Sequence, residues 1–232
     1  MFHIIHFDQI DSTNTYAKNH LKELHHYDVI HADHQTLGRG RQDHTWHSSP
    51  KENLMATLII KEAISPEKIQ QLTQVIALSI VEVCQSINIE AKIKFPNDIY
   101  IHDKKVAGIL IETQFTHQLD GIIIGFGINV KESHLLPTAT SLYQHGCQLS
   151  IEAILHRVLY QFDKNYQLFK QGNYMDLLKQ VNDLSYLKNK KVHLDDQDVS
   201  IGSLLEDGRI EIIHPNKIEY RFINEFTLSK HE

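Results

Sequence analysis

At 232 residues, 41% hydrophobic and 22% charged, the chain has the make-up of an ordinary soluble protein with room for one full catalytic core and a small second domain. A formal net charge of −6 argues against a nucleic-acid binder that relies on broad electrostatic attraction. Apolar runs such as Gly121–Val130 are too short to cross a bilayer as helices, no basic-then-apolar leader precedes Asp8, and Cys84 and Cys147 lack metal-site spacing, so reduced thiols in a cytoplasmic protein are expected.

The chain opens on a strand-like Phe2–Phe7, with no helix-turn-helix pattern before Asp8 and therefore no expected DNA-reading arm. Asp11-Ser12 precedes an amphipathic stretch with Tyr16, Ala17, His20, Leu21 and Leu24 on one face, which predicts a helix starting near Ser12. Val29–Ala32 reads as a strand. From His34 to Asn53 the chain is polar, glycine-bearing and non-periodic, a long loop of the functional or disordered kind. A strand at Leu54–Ile60 leads to helical spacing of apolar residues from Ser65 to about Ile87, with Pro66 suited to the first turn.

Strands are expected next at Ala91–Phe95, Ile99–His102, Val106–Phe115 and Leu119–Val130, the last two forming a hairpin in the middle of a mixed sheet. Ile151–Phe169 and Tyr174–Leu187 read as helices. Beyond the basic Lys188–Lys191 cluster the texture changes to short strands near Val192–Leu194, Val199–Leu205, Ile210–Ile213 and Ile218–Ile223, an all-β unit of about SH3 size. The chain therefore divides into 1–187 and 188–232. Among 17 histidines, His3/His6, His31/His34 and His44/His47 are three apart; on a strand that spacing sends side chains to opposite faces, and no cysteine or carboxylate motif completes a metal site.

Three segments carry chemistry. Gly38-Arg39-Gly40-Arg41, closed by the single tryptophan Trp46, alternates flexible backbone with permanently charged forks that suit phosphate or carboxylate. A lone Gly-Arg pair is commonly a solvated loop; repetition inside a long loop favours anion binding, with Trp46 as its packing anchor. In Lys94-Phe95-Pro96-Asn97-Asp98, followed by Lys105-Val106-Ala107-Gly108, the small residues leave room for a ligand beside the Lys105 ammonium, although a strand-end lysine is more often a snorkelling surface residue. Asn97-Asp98 is also a common turn pair. In Gly125-Phe126-Gly127-Ile128-Asn129 both glycines face one side of a strand, which marks close approach by a backbone or a ligand. Asn129, on the same face, suits a ligand or its own loop equally. Ser12-Thr13-Asn14 fits a helix cap and also offers a polar anchor for a small ligand.

Taken in order, Asp11-Ser12-Thr13-Asn14, Gln35-Thr36-Leu37-Gly38-Arg39-Gly40-Arg41 with Trp46, Lys94-Phe95-Pro96-Asn97-Asp98, Lys105-Val106-Ala107-Gly108-Ile109-Leu110-Ile111-Glu112 and Gly125-Phe126-Gly127-Ile128-Asn129 resemble the biotin protein ligase family, in its short form without a DNA-binding domain. The resemblance implies an α+β fold, a mixed sheet flanked by helices of the class II synthetase-like kind, with a C-terminal SH3-like β-barrel. It implies that biotin and Mg-ATP give biotinyl-5′-adenylate, and that biotin then passes to a lysine of a biotin carboxyl carrier domain such as that of acetyl-CoA carboxylase. By matching motifs, Ser12, Thr13, Asn14, Gln35, Arg39, Gly40, Arg41, Lys105 and Gly108 line the biotin site. Arg39, Arg41, Trp46, Lys94, Asn97, Asp98, Lys105, Gly127 and Asn129 serve ATP or the adenylate. Lys105 and Arg39 are the expected catalytic residues, and Asp98 is either a Mg²⁺ ligand or an orienting acceptor.

Three positions depart from the family pattern: Gln42-Asp43-His44 where the loop usually continues basic or glycine-rich, Phe95 in place of tryptophan, and Asn224-Glu225 in place of glycine-glutamate. A lipoate-protein ligase is the nearest alternative but lacks the arginine-glycine loop; a non-catalytic biotin or nucleotide sensor is a different class. Exposed strand edges leave a homodimer, or docking of the carrier's own strands, open.

Overall fold

Seven strands build one mixed sheet in the computed structural model, which describes residues 1–41, 45–131, 135–188, 190–195 and 197–222. They are β1 (His3–Phe7), β2 (Asp28–Ala32), β3 (Asn53–Ile60), β4 (Ala91–Lys94), β5 (Asp98–Ile101), β6 (Lys104–Phe115) and β7 (Leu119–Asn129), in the order β1-β2-β3-β7-β6-β5-β4. Only β1 and β2 run parallel; every other neighbour is antiparallel. The β6–β7 hairpin lies in the middle of the sheet, as its two long apolar runs predict.

The helices are α1 (Thr13–Asn19), α2 (Pro66–Ile69), α3 (Gln71–Ser86), α4 (Ile151–Lys170) and α5 (Tyr174–Asp183). Residues alternate between the two faces of each strand. On β3, Leu54, Ala56, Leu58 and Ile60 join the main core with the buried stripes of α3, α4 and α5. Ile59 turns the other way, into a smaller cluster with Ile30, Ile123 and the Ala17, Leu21 and Leu24 side chains. The α1 face is thus half apolar core, and the remainder of that face is the site described below.

Helix α1 is shorter than the pattern through Leu24 predicts. Ser12 caps it from an extended backbone, its hydroxyl accepting the Thr15 N–H at 3.4 Å. At the other end the His20 ring and backbone both bond the Tyr16 carbonyl, and the Glu23 N–H bonds the His20 carbonyl three residues back. The chain tightens and leaves the helix, yet Leu21 and Leu24 stay buried. The expected Ser65–Ile87 helix is divided between α2 and α3 at Gln70, where Lys68 and Thr73 donate to carbonyls three residues back rather than four. Cys84 and Cys147 are free and buried, and burial pushes the Cys84 thiol up to about 12.

Strands β8 (Lys191–Leu194), β9 (Gln197–Leu204), β10 (Arg209–Ile213) and β11 (Ile218–Phe222) form a second, antiparallel sheet ordered β11-β10-β9-β8, in accord with an SH3-like unit. Val192, Leu194, Val199, Ile201, Leu204, Ile210 and Ile212 share the main core cluster, and Asn182 of α5 bonds both the N–H and the C=O of Leu204. The two sheets therefore share one continuous apolar interior. Asn189 of the basic cluster, Ile223 and the Asn224-Glu225 departure lie outside the described residues. Among the described residues no helix is long and apolar enough to cross a membrane.

Candidate active site

Register aligns a row of small residues across the sheet. Asp98 of β5 pairs with Gly108 of β6, Gly108 with Gly127 of β7, and Gly127 with Met55 of β3. The next row is Leu110, Gly125 and Thr57. Over these rows lies a cavity of about 420 Å³, closed from above by the start of α1 and the arginine-glycine loop. That volume falls in the range of small-molecule sites.

What approaches the glycines is the chain itself. A Cβ at Gly125 would run into the side-chain carbonyl of Asn14, and one at Gly127 would sit 2.6 Å from Trp46 Cε2. At Gly108 it would lie 3.1 Å from Lys105 Nζ and 3.3 Å from the same indole. Each missing side chain is the seat of a named partner. The loop folds back on itself, with the Trp46 backbone N–H donating to the Gly38 carbonyl at 2.9 Å and Arg39 bridged to Thr45, and this lowers the indole onto the glycine row. Trp46 Nε1 is buried there and has no acceptor among the described residues.

Among the described residues four cations surround the cavity. Lys105 Nζ meets Asp98 Oδ1 at 2.7 Å and lies 5.7 Å from the Trp46 ring centre; its side chain keeps a third of its surface exposed. Arg39 grips Glu112 with both terminal nitrogens, at 3.3 and 3.4 Å. Arg41 donates to Asn97 Oδ1 at 3.2 Å, and Lys94 to the Tyr100 hydroxyl at 3.1 Å. Asp98 is the sole carboxylate in the lining among the described residues.

At the α1 end, the Thr13 N–H and Gln35 Oε1 are 2.7 Å apart, and the Thr57 hydroxyl donates to Asn14 Oδ1 at 2.6 Å. The Asn14 amide in turn donates to Glu112 Oε2 at 3.0 Å and to the Leu110 carbonyl. Asn14, Glu112 and Arg39 are thus one connected network.

Ser12, Thr13, Asn14, Gln35, Arg39, Gly40, Arg41, Trp46, Lys94, Asn97, Asp98, Lys105, Gly108 and Gly127, all singled out in the sequence, come together on this lining. Asn129 does not join them. It is 5% exposed, accepts from Asn53 at 3.0 Å and donates to the Thr140 carbonyl at 3.1 Å. Thr140 N–H bonds the Lys105 carbonyl, and the Thr138 carbonyl accepts from the Lys105 N–H, so Asn129 steadies the segment that holds the lysine's backbone. Asn129 thus lies off the lining and bonds its own surroundings, the second of the two uses its strand face suits.

Glu112 and Thr57 received no role from sequence. Glu112 shares a strand face with Gly108 and Leu110, four and two residues before it, and Thr57 is the one hydroxyl in an apolar strand. Either pattern was the signal. Gln42-Asp43-His44 lie outside the described residues.

Residues 6–129 match the Biotin/lipoate A/B protein ligase family. The chain is 34% identical over 178 residues to the Bacillus subtilis bifunctional ligase/repressor BirA, covering 71% of this chain and 54% of that protein. It is 31% identical over 192 residues to the Escherichia coli BirA, covering 80% and 60%. The matches thus span little more than half the length of these curated relatives. Among solved structures, the biotin protein ligase from Aquifex aeolicus in complex with biotin and ATP superposes with a TM-score of 0.85 at 26% identity, covering all of both chains. The arginine-glycine loop, the Lys94–Asp98 turn and the glycine-lined strands on which they converge lie within or against the matched segment, and the chain belongs to the biotin/lipoate A/B protein ligase family.

Proposed function

We propose that the chain activates biotin with ATP to biotinyl-5′-adenylate and passes the biotinyl group to a lysine of a biotin carboxyl carrier domain. The observation that carries this reading is the meeting of Arg39, Arg41, Lys94 and Lys105 around one cavity whose floor is glycine. In adenylation a carboxylate oxygen attacks the α-phosphorus and pyrophosphate departs, so two anions must be pressed together. Fixed cations remove that repulsion without reorganisation, and alignment supplies most of the remainder.

Lys105 stands between the reacting groups, oriented by Asp98. Arg39 reaches the phosphate from a guanidinium that Glu112 already holds flat; a fork so placed loses little freedom on binding. Gln35, Ser12, Thr13 and Asn14, with the Gly40 and Gly108 backbones, offer polar partners for the ureido ring. Arg41, Lys94, Asn97 and the Trp46 indole over Gly127 form the nucleotide side, where the unpaired Nε1 is a ready donor. The mixed anhydride is hydrolysable, and the loop over the cavity excludes water until the carrier lysine arrives.

Mg²⁺ sites in nucleotide enzymes take one or two carboxylates together with phosphate oxygens, which the single acid Asp98 in this lining fits. Bound there, the ion would neutralise charge on pyrophosphate. Residues 1–187 would perform this chemistry, with 188–232 as the attached β unit.

With biotin, ATP and a purified carrier domain, the chain is expected to label one carrier lysine; no transfer, together with pyrophosphate exchange on lipoate but not on biotin, would move it to the lipoate side of the family. The Arg39 side chain is 44% exposed. Saturating biotin and ATP should therefore shield the Arg39 and Arg41 bonds from trypsin, by about tenfold or more in cleavage rate for a segment that orders over its ligand. Cleavage at an unchanged rate would remove loop closure from the mechanism.

A further inference from the structure

The sheet face opposite the cavity carries a second cluster of ligating groups. β1 and β2 are parallel neighbours and their register pairs His6 with His31, so the two rings project side by side with centres 5.4 Å apart. Asp33 follows β2 directly, and its carboxylate accepts from His6 Nε2 at 3.0 Å. One ligand atom from each of the three residues lies within 4.8 Å of the others. Counting histidines along one strand, as sequence spacing invites, misses this set, because the neighbour that matters is across the ladder and the carboxylate comes from the loop.

His31 is 4% exposed, and its Nδ1 lies 3.0 Å from the Met55 carbonyl. A carbonyl only accepts, so Nδ1 carries the proton and Nε2 presents its lone pair. Metal-ligating histidines are held in this way, by a backbone carbonyl on the other ring nitrogen. His6, with 47% of its side chain exposed, is free to turn. Tetrahedral bonds of about 2.1 Å set ligand atoms about 3.4 Å apart, a modest closing from the present spacing. The proton between His6 Nε2 and Asp33 moves to Nδ1 when a cation takes its place, with no net proton lost.

We propose that His6, His31 and Asp33 form a binding site for a divalent transition metal of the zinc type, three protein ligands with one position left to water. Two imidazoles and one carboxylate favour such an ion over Mg²⁺ or Ca²⁺, which prefer oxygen. Its place is structural as well as chemical. Asp33 roots the long loop that bears Arg39 and Arg41, its carbonyl accepting the Lys51 N–H at 3.0 Å where the loop returns, and Lys51 Nζ lies 3.8 Å from its carboxylate. Met55, whose carbonyl orients His31, lines the cavity on the other side of the sheet.

The test is zinc chloride titrated into untagged, metal-stripped protein against a chromogenic chelator, with His6→Ala and Asp33→Asn beside the wild type. One equivalent is expected to bind the wild type in the micromolar range, and each variant should lose at least about tenfold in affinity for it. Zinc at about a hundred times its dissociation constant should raise the wild-type melting midpoint by about 5–10 °C and neither variant's to that extent. Both variants alter side chains at the sheet edge, and circular dichroism confirms their folding. No zinc bound by the wild type in that range, or unchanged affinity in either folded variant, overturns the site.

Discussion

Replacing Lys105 by alanine is expected to lower adenylate formation by at least about a hundredfold while the chain remains folded. The size follows from the loss of one fixed charge at the reacting phosphorus, worth about 3 kcal/mol or more in a water-excluded site. Folding survives because the backbone bonds of residue 105 to Thr138 and Thr140 do not involve the side chain. The Lys105–Asp98 pair itself is a third and a quarter exposed on its two sides, and pairs so placed contribute about 1 kcal/mol or less. Removing the ammonium also releases Asp98, which adds an unpaired negative charge where two anions must meet. Lys105→Arg keeps the charge but carries a wider head past Gly108, where even a Cβ would lie 3.1 Å from the present Nζ; partial recovery is expected. Pyrophosphate release with biotin and ATP measures both variants, and near-normal turnover in Lys105→Ala would take the lysine out of the chemistry.

Much of this site is legible in the sequence because it is built on departures from what strands and loops ordinarily contain. Arginines between glycines, a lysine beginning an apolar strand and two glycines on one strand face have little structural purpose alone. The sequence also says that something approaches Gly125 and Gly127 closely. It does not say what, since Asn14 and Trp46 reach them only through the fold. Asn129 illustrates the opposite limit. Its strand face is right, but at the end of β7 its neighbours are Asn53 and Thr140, and register alone decides between a ligand and a backbone partner. Glu112 was hidden by its charge, which on a half-exposed strand reads as a solvated position until Arg39 and Asn14 are seen upon it. The end of α1 was misjudged because apolar periodicity continues through Leu24 after the hydrogen-bond ladder has stopped; burial and helicity are separate properties.

Gly125→Ala is expected to destabilise the protein by about 3 kcal/mol, although alanine in a strand interior normally gains about 0.5–1 kcal/mol over glycine. The sign reverses because the added methyl would occupy the place of the Asn14 side-chain carbonyl. Asn14 has nowhere to retreat: it is 4% exposed and tied to Thr57, Leu110 and Glu112 at once. Displacing it breaks its bonds to Thr57, Leu110 and Glu112; Thr57 keeps the Thr13 hydroxyl and Glu112 keeps Arg39, but the Asn14 amide itself is left unpaired in the interior, and each buried polar group so left costs about 1–3 kcal/mol. For a chain of this length a loss of about 3 kcal/mol lowers the melting midpoint by about 6–12 °C. Asn14→Ala alone should cost a similar amount. In the double variant the methyl enters the space Asn14 has left, so the two losses fall well short of adding, as neighbours that share one cavity do. Because Glu112 also holds Arg39, biotin activation should fall along with stability in Gly125→Ala. Thermal melts of the four proteins decide the matter: full additivity, or a Gly125→Ala chain as stable as the parent, would mean that Asn14 does not occupy the place the glycine leaves open.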